Sequence, residues 1–180
     1  MGKANVPKLK NAAIAALLSG DSNALKSCLD QGVKVDDRLS SRKNRPQRET
    51  ALMIAAELGN LAIAKLLIAR GADVNAVAQF QITAIDTAIV NNHPAMVNLL
   101  LKSGAEIHPD CLIHAAKAGI DLRIARSILR QGADPNAQNK SLGQTAIHVA
   151  AFQGRSDVAR LLIRAGAHIN IRDKHGHGPL

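Results

Sequence analysis

The side chains of this chain best suited to chemistry are two cysteines and seven histidines. Cys111 and His114 stand three positions apart, a spacing that brings side chains together on a helix, and His108 precedes the cysteine by three. A cysteine activated by histidine is a nucleophile, and histidine with cysteine also binds zinc. No third group orients the histidine, however, and neither these three residues nor His175 with His177 have the spacing of a closed zinc site. We therefore expect no enzyme, no bound metal and no cofactor.

An internal repeat determines which elements carry these side chains. The segment ETALMIAAELGNLAIAKLLIARGADVNA at 49–76 recurs nearly position for position as QTAIHVAAFQGRSDVARLLIRAGAHIN at 144–170. Three more divergent copies give five repeats in all. We expect one domain over residues 1–180, with repeats at approximately 8–37, 49–76, 82–108, 109–137 and 144–172, a partial repeat at 173–180 and an insertion at 38–49.

Each copy predicts a short helix, a turn, a second helix and a terminating glycine. The turn position holds a glycine in four copies and Asn92 in the third, residues that tolerate a positive φ. Thr50, Thr83 and Thr145 are expected to cap the first helices, and Asp110 takes that role in the fourth copy. Adjacent leucines on the second helices are expected to bury one stripe, and they are Leu66, Leu67, Leu99, Leu100, Leu161 and Leu162.

These motifs resemble the ankyrin repeat, whose pattern has a capping Thr-Pro-Leu-His, two alanines, a glycine, two leucines and Gly-Ala-Asp-Val-Asn-Ala. The resemblance implies an all-α solenoid of stacked helix-turn-helix repeats with β-hairpin finger loops, and it implies binding to other proteins. The proline is replaced by Ala51, Ala84 and Ala146, and the histidine survives only as His148.

Two of the loops between repeats depart from the length of about a dozen residues that such a finger needs. The loop from Gly32 to Thr50 is longer and carries a basic run, Arg38, Arg42, Lys43, Arg45 and Arg48. This run either binds acidic groups or is a solvated surface loop. The segment from Gly104 to Asp110 is too short, so one finger is expected to be missing.

The resemblance also places the residues of an expected binding surface. Finger and first-helix positions combine into an apolar strip within a polar groove, and such strips mark docking sites. The alternative is that Phe80 and Ile82 fold back against the long loop. The expected partner-binding residues are Glu57, Leu58, Phe80, Ile82, Val90, Asn91, Lys117, Leu142, Phe152 and Gln153.

Composition bounds the function. The formal net charge is +9, which favours acidic partners or polyanions, but the chain has no Trp or Tyr and only two Phe with which to stack bases. We therefore expect a non-catalytic protein-binding scaffold, an adaptor or inhibitor, with binding of nucleic acid or another polyanion as the alternative. Self-association through an uncapped last repeat is a further expectation.

Cysteine usage and hydropathy bear on the compartment. Cys28 and Cys111 form no disulfide framework, which favours a reducing, cytoplasmic compartment. Delivery into a host cell as an effector stays open, because ankyrin arrays also occur in bacteria that deliver them. No apolar run has the length of a membrane span, so no membrane insertion is expected.

Overall fold

A computed structural model describes residues 6–39, 49–117 and 119–179. In these ranges the chain forms ten α-helices, which follow one another as five helix-turn-helix pairs, together with one short 3₁₀ turn at Gln79–Gln81. The helices are α1 Val6–Ser19, α2 Ser22–Asp30, α3 Ala51–Glu57, α4 Leu61–Ala69, α5 Ala84–Val90, α6 Pro94–Lys102, α7 Pro109–Ala115, α8 Leu122–Arg130, α9 Ala146–Phe152 and α10 Ser156–Arg164. The all-α repeat fold expected from the sequence is confirmed.

A residue with a positive φ follows each helix of every pair, as the repeat pattern predicts. Asn92 adopts φ +59°, matching the glycine at the same turn of the other four copies. Gly59 shows why a side chain is excluded there as well. Its φ is +65°, and a Cβ atom would lie 2.8 Å from the His93 ring. The residue at this turn thus allows the chain to reverse direction, and its lack of a side chain lets the next repeat pack closely.

The capping threonines lie where the sequence places them. Thr50 accepts a hydrogen bond from the backbone N–H of Met53 at 3.3 Å. The first helix of the fourth copy differs, because it begins at Pro109 with His108 at the cap position, so the expected cap by Asp110 is wrong. Proline favours the first position of a helix, where its missing N–H has no intrahelical partner and its φ is already helical.

The core is a continuous stack of small and branched aliphatic side chains. Several alanines on the first helices have no exposed surface and let neighbouring repeats approach closely, and they are Ala55, Ala56, Ala88, Ala115 and Ala150. The leucine pairs divide into two classes. Leu67, Leu100 and Leu162 have no exposed surface. Their neighbours Leu66, Leu99 and Leu161 are only partly buried against the same core.

Asparagine side chains join consecutive repeats. The Asn75 amide donates to the carbonyl oxygen of Gly104 at 3.0 Å and accepts from the N–H of Glu106 at 2.9 Å. Asn92 and Asn136 each make the same two bonds to the repeat that follows them. Each amide satisfies a carbonyl near the end of one helix and fixes the next repeat against it.

The finger loops are tight turns. No β-strand is present in the three described ranges; one backbone pair closes the finger after α4, where the N–H of Ala78 donates to the Ile82 carbonyl oxygen at 2.8 Å. The insertion is closed in the same way by Leu39 and Glu49. Within the basic run, Arg38 is exposed, whereas Arg42, Lys43, Arg45 and Arg48 lie outside the described residues.

Candidate binding groove

The missing finger between the third and fourth repeats leaves a groove. Residues 105–108 run directly from α6 into α7 without a hairpin. A cavity of about 770 Å³ opens beside them, between the finger at 79–82, one side of α5 and the start of α7. Its size is that of a site for a small molecule or a few side chains of a partner.

Exposed apolar side chains line this cavity. Phe80 is 75% exposed and Val90 is 58% exposed, and Val77 lies beside them. The alternative, in which Phe80 and Ile82 fold back against the long loop, involves residues 40–48, which lie outside the described residues. The backbone of Phe80 has φ +60°, an uncommon conformation for an aromatic residue, which directs the chain through the finger tip.

Five of the ten expected partner-binding residues come together here. Glu57, Phe80, Ile82, Val90 and Asn91 all line the cavity. Ile82 is half-buried at its wall, and Asn91 is exposed at its edge.

The other five expected residues are exposed but lie outside this cavity. Phe152 is 89% exposed at the end of α9, and Gln153 follows it. The Lys117 carbonyl oxygen accepts a hydrogen bond from Arg155 at 2.6 Å, which ties the fourth repeat to the fifth. The expected binding surface is therefore divided. Five of its residues line the groove, and the other five are exposed elsewhere, at Leu58, Lys117, Leu142, Phe152 and Gln153.

The described residues that line the groove are mainly acidic, whereas the whole chain has a formal net charge of +9. Five carboxyl side chains line the groove, and Lys140 is the only lysine or arginine among the described residues of its lining. The carboxyl groups belong to Glu49, Glu57, Asp86, Glu106 and Asp110. Exposed arginines are found instead on the second helices, at Arg123, Arg126, Arg130, Arg160 and Arg164. Net charge is thus a poor guide to the chemistry of this surface.

At the floor of the groove, Asp86 joins the third repeat to the fourth. Its carboxylate accepts the backbone N–H of Thr83 at 3.0 Å and the Thr83 hydroxyl at 2.7 Å, and it pairs with Nε2 of His108 at 2.9 Å. Burial opposes ionisation of Asp86, but hydrogen bonds from His108 and Thr83 outweigh it and lower the pKa of the carboxyl. The hydrogen bond to Asp86, reinforced by Cys111, raises the pKa of His108 to about 10.

The fifth repeat shows what this position does elsewhere in the array. His148 replaces Asp86 there, and its Nδ1 accepts from the Thr145 N–H at 3.2 Å. Its Nε2 donates to the His177 carbonyl oxygen at 3.2 Å. In the fifth repeat a histidine at this position thus bonds to a backbone carbonyl of the following segment, whereas in the third repeat a carboxylate pairs with a side chain of the fourth repeat.

The structure places Cys111 and His114, the pair singled out in the sequence, in different surroundings. Cys111 has no exposed surface, and its Sγ lies 3.8 Å from an Asp86 oxygen. The Nδ1 atom of His114 is buried and has no hydrogen-bond partner among the described residues. Burial lowers the pKa of His114, and Lys117 lowers it further. The sequence analysis did not predict Asp86 as a site residue, although an aspartate at the position of the family's histidine was a visible signal.

Comparison with known proteins agrees with this architecture. A family profile described as ankyrin repeats (3 copies) matches residues 12–111 and again 112–180, nearly the whole chain. An ankyrin repeat and KH domain-containing protein of Caenorhabditis briggsae is 32% identical over 137 residues, which is 72% of this chain and 5% of the relative.

Two further relatives carry the repeats within different proteins. Ankyrin repeat and SOCS box protein 6 of Pongo abelii is 33% identical over 142 residues, 70% of this chain and 33% of the relative. Protein phosphatase 1 regulatory subunit 12A of Rattus norvegicus is 44% identical over 61 residues, 34% of this chain and 6% of the relative. The chain spans a third or less of the length of each of these three proteins. Repeat profile, helix pairs and turn residues together identify the chain as a member of the ankyrin repeat family.

Proposed function

We propose that this chain is a non-catalytic protein-binding scaffold, an adaptor or inhibitor, whose partner docks in the groove between the third and fourth repeats. The observation that carries the proposal is the combination of exposed Phe80 and Val90 with a recess lined by carboxyl groups. Aromatic anchors surrounded by polar groups are typical of binding hot spots.

The lining of the groove favours a partner segment that is apolar and basic. An exposed apolar side chain of the partner fits against Phe80 and Val90, and a lysine or arginine beside it fits the exposed carboxyl group of Glu106. The acidic partner expected from the net charge would instead bind the second-helix arginines. The groove is therefore the better-defined site.

The relatives support the protein-binding class. One is named as a regulatory subunit of protein phosphatase 1 and another as a protein with a SOCS box. The matched regions are 6% and 33% of these two proteins, so both contain other sequence as well. By analogy, we propose a regulatory or recruiting role for this chain.

Polyanion binding is the second candidate, and the exposed arginines of α8 and α10 favour it. Salt separates the two functions, because binding to a phosphate backbone weakens steeply as salt rises and contact with apolar side chains does not. The comparison is made by electrophoretic mobility shift at two salt concentrations. A steep loss of binding at the higher salt concentration would favour polyanion binding.

The groove itself is tested with two exposed aliphatic residues of similar accessibility. Val90 lies in the groove, and Leu18, 53% exposed on α1, lies outside its lining. Val90→Lys should weaken binding to an affinity-captured partner at least tenfold, while Leu18→Lys should change it less than twofold. Equal losses in the two variants would show that the partner does not bind in the groove.

Self-association is proposed as a second form of protein binding. Ile163 and Ile169 are both exposed on the last described repeat and offer an apolar patch to another copy. Light scattering should then detect dimers that Ile163→Lys abolishes; a wild-type monomer at high concentration would contradict this proposal. The cytoplasmic compartment also stays a prediction. In the described residues, no helix is long and apolar enough to cross a membrane.

A further inference from the structure

Three side chains that are far apart in the sequence converge beneath the groove. Asp86 comes from α5, His108 precedes α7, and Cys111 lies in its first turn. One carboxylate oxygen, one imidazole nitrogen and the thiol sulfur all lie within 4.8 Å of one another. Asp86 and Cys111 are buried, and His108 is partly exposed.

These three atoms have the chemistry and spacing of metal ligands. Zinc binds carboxylate oxygen and imidazole nitrogen at about 2.0–2.2 Å and thiolate at about 2.3 Å, so tetrahedral ligand atoms lie about 3.2–3.7 Å apart. Here the Asp86 oxygen lies 2.9 Å from His108 Nε2 and 3.8 Å from Cys111 Sγ. The first separation is shorter than this range and the second is slightly longer.

The rest of the array provides a comparison inside the same chain. When the repeats are aligned on their paired alanines, alanine occupies the position of Cys111 in three other copies, as Ala51, Ala84 and Ala146. The fifth copy has His148 where the third has Asp86, and no cysteine faces it. The carboxylate and the thiol therefore occur together only at the junction of the third and fourth repeats.

We propose that Asp86, His108 and Cys111 bind a divalent transition-metal ion of the zinc class. Binding displaces the thiol proton of Cys111 and the proton that His108 Nε2 donates to Asp86, and both protons leave to solvent. The ion then replaces a hydrogen-bonded contact between two repeats with three coordinate bonds. The proposed metal site does not depend on the protein-binding function proposed above.

The site has a route to solvent and room for a further ligand. Asp86 and His108 both line the cavity of about 770 Å³, so an ion approaches from the groove. His114 lines the same cavity, and its Nδ1 atom has no protein partner in the described ranges. With three protein ligands, the fourth position of a tetrahedral ion faces this space and takes water or a donor from outside.

Cobalt is the probe, because a cobalt–thiolate bond gives a charge-transfer absorption that carboxylate and imidazole alone do not give. The reduced full chain, freed of metal by a chelator and dialysed, is titrated with Co²⁺. We expect one ion per chain, a thiolate charge-transfer band and loss of that band when Zn²⁺ is added. Wild-type protein that shows no such band overturns the proposal without any variant.

Matched variants assign the band to this site. Cys111→Ser should abolish it, while Cys28→Ser, at the other buried cysteine, should leave it unchanged. His108→Asn should weaken cobalt affinity at least tenfold, with folding of each variant checked by circular dichroism. A band that is lost in Cys28→Ser or retained in Cys111→Ser would overturn the assignment. If Cys111→Ser fails to fold, the effect of His108→Asn and of Zn²⁺ on the wild-type band decides.

Discussion

Ile89 and Val90 are neighbours on α5 that should respond to the same truncation in opposite ways. Ile89 has no exposed surface, whereas Val90 is 58% exposed in the groove. Ile89→Ala removes three buried carbon atoms, worth about 0.8 kcal/mol each, and leaves a cavity, so the free energy of unfolding should fall by about 3 kcal/mol.

Val90→Ala should leave stability nearly unchanged. It removes two methyl groups that are less than half buried, a loss of about 0.7 kcal/mol by the same measure. Alanine also has a higher helix propensity than valine by about 0.5 kcal/mol, which offsets most of that loss. Partner binding should show the reverse order, with Val90→Ala weakening it and Ile89→Ala acting only through stability.

The assay is guanidinium unfolding followed by far-ultraviolet circular dichroism, since the chain has no Trp or Tyr to report by fluorescence. Unfolding midpoints are compared at constant slope, which isolates the change in stability. Equal destabilisation by the two variants would refute the assigned helix face, and with it the exposure of the groove.

Other predictions concern the turns, the contacts between repeats and the partner. Gly59→Ala should destabilise the array more than Gly154→Ala, because both glycines have positive φ but only at Gly59 would the Cβ atom meet a neighbour, the His93 ring at 2.8 Å; thermal unfolding should show the larger shift at Gly59, and equal shifts would exclude a role for the ring. Asn136→Ala removes two hydrogen bonds to the next repeat, including the one that its side-chain oxygen accepts from the His168 N–H at 2.7 Å. It should cost about 1–3 kcal/mol and speed hydrogen exchange at the His168 amide; unchanged exchange there would contradict the contact. Affinity for a basic partner should fall moderately as salt rises, and a salt-independent affinity would show that the carboxyl groups of the groove do not contribute.

Much of the fold could be predicted because local residue chemistry determines it. A positive φ at the inter-helix turn selects glycine or asparagine, so even Asn92 was recognisable without coordinates. The start of α7 was not predicted correctly, because the threonine pattern suggested Asp110 whereas Pro109 sets the first helical position. The prediction that the leucine pairs form a stripe against the core was correct. Only the packing shows that Leu67 is buried and that Leu66 is partly exposed.

The groove could be predicted only in part. The short segment after Gly104 indicated a missing finger, and Phe80 and Val90 were both expected at a binding surface. The sign of the groove's charge was not predictable from composition, since a net charge does not say which face its carboxyl groups occupy. The cluster of Asp86 with Cys111 was missed because the two residues are 25 positions apart and meet only when consecutive repeats stack.

Site-specific photo-crosslinking tests the central claim, that a protein partner occupies this groove. A photoreactive amino acid is placed at Val90 in one variant and at Leu18 in another, and each is irradiated with the captured partner. The account predicts crosslinks from position 90 that excess unlabelled wild-type protein suppresses, and few from position 18. Crosslinks from position 18 alone would contradict it.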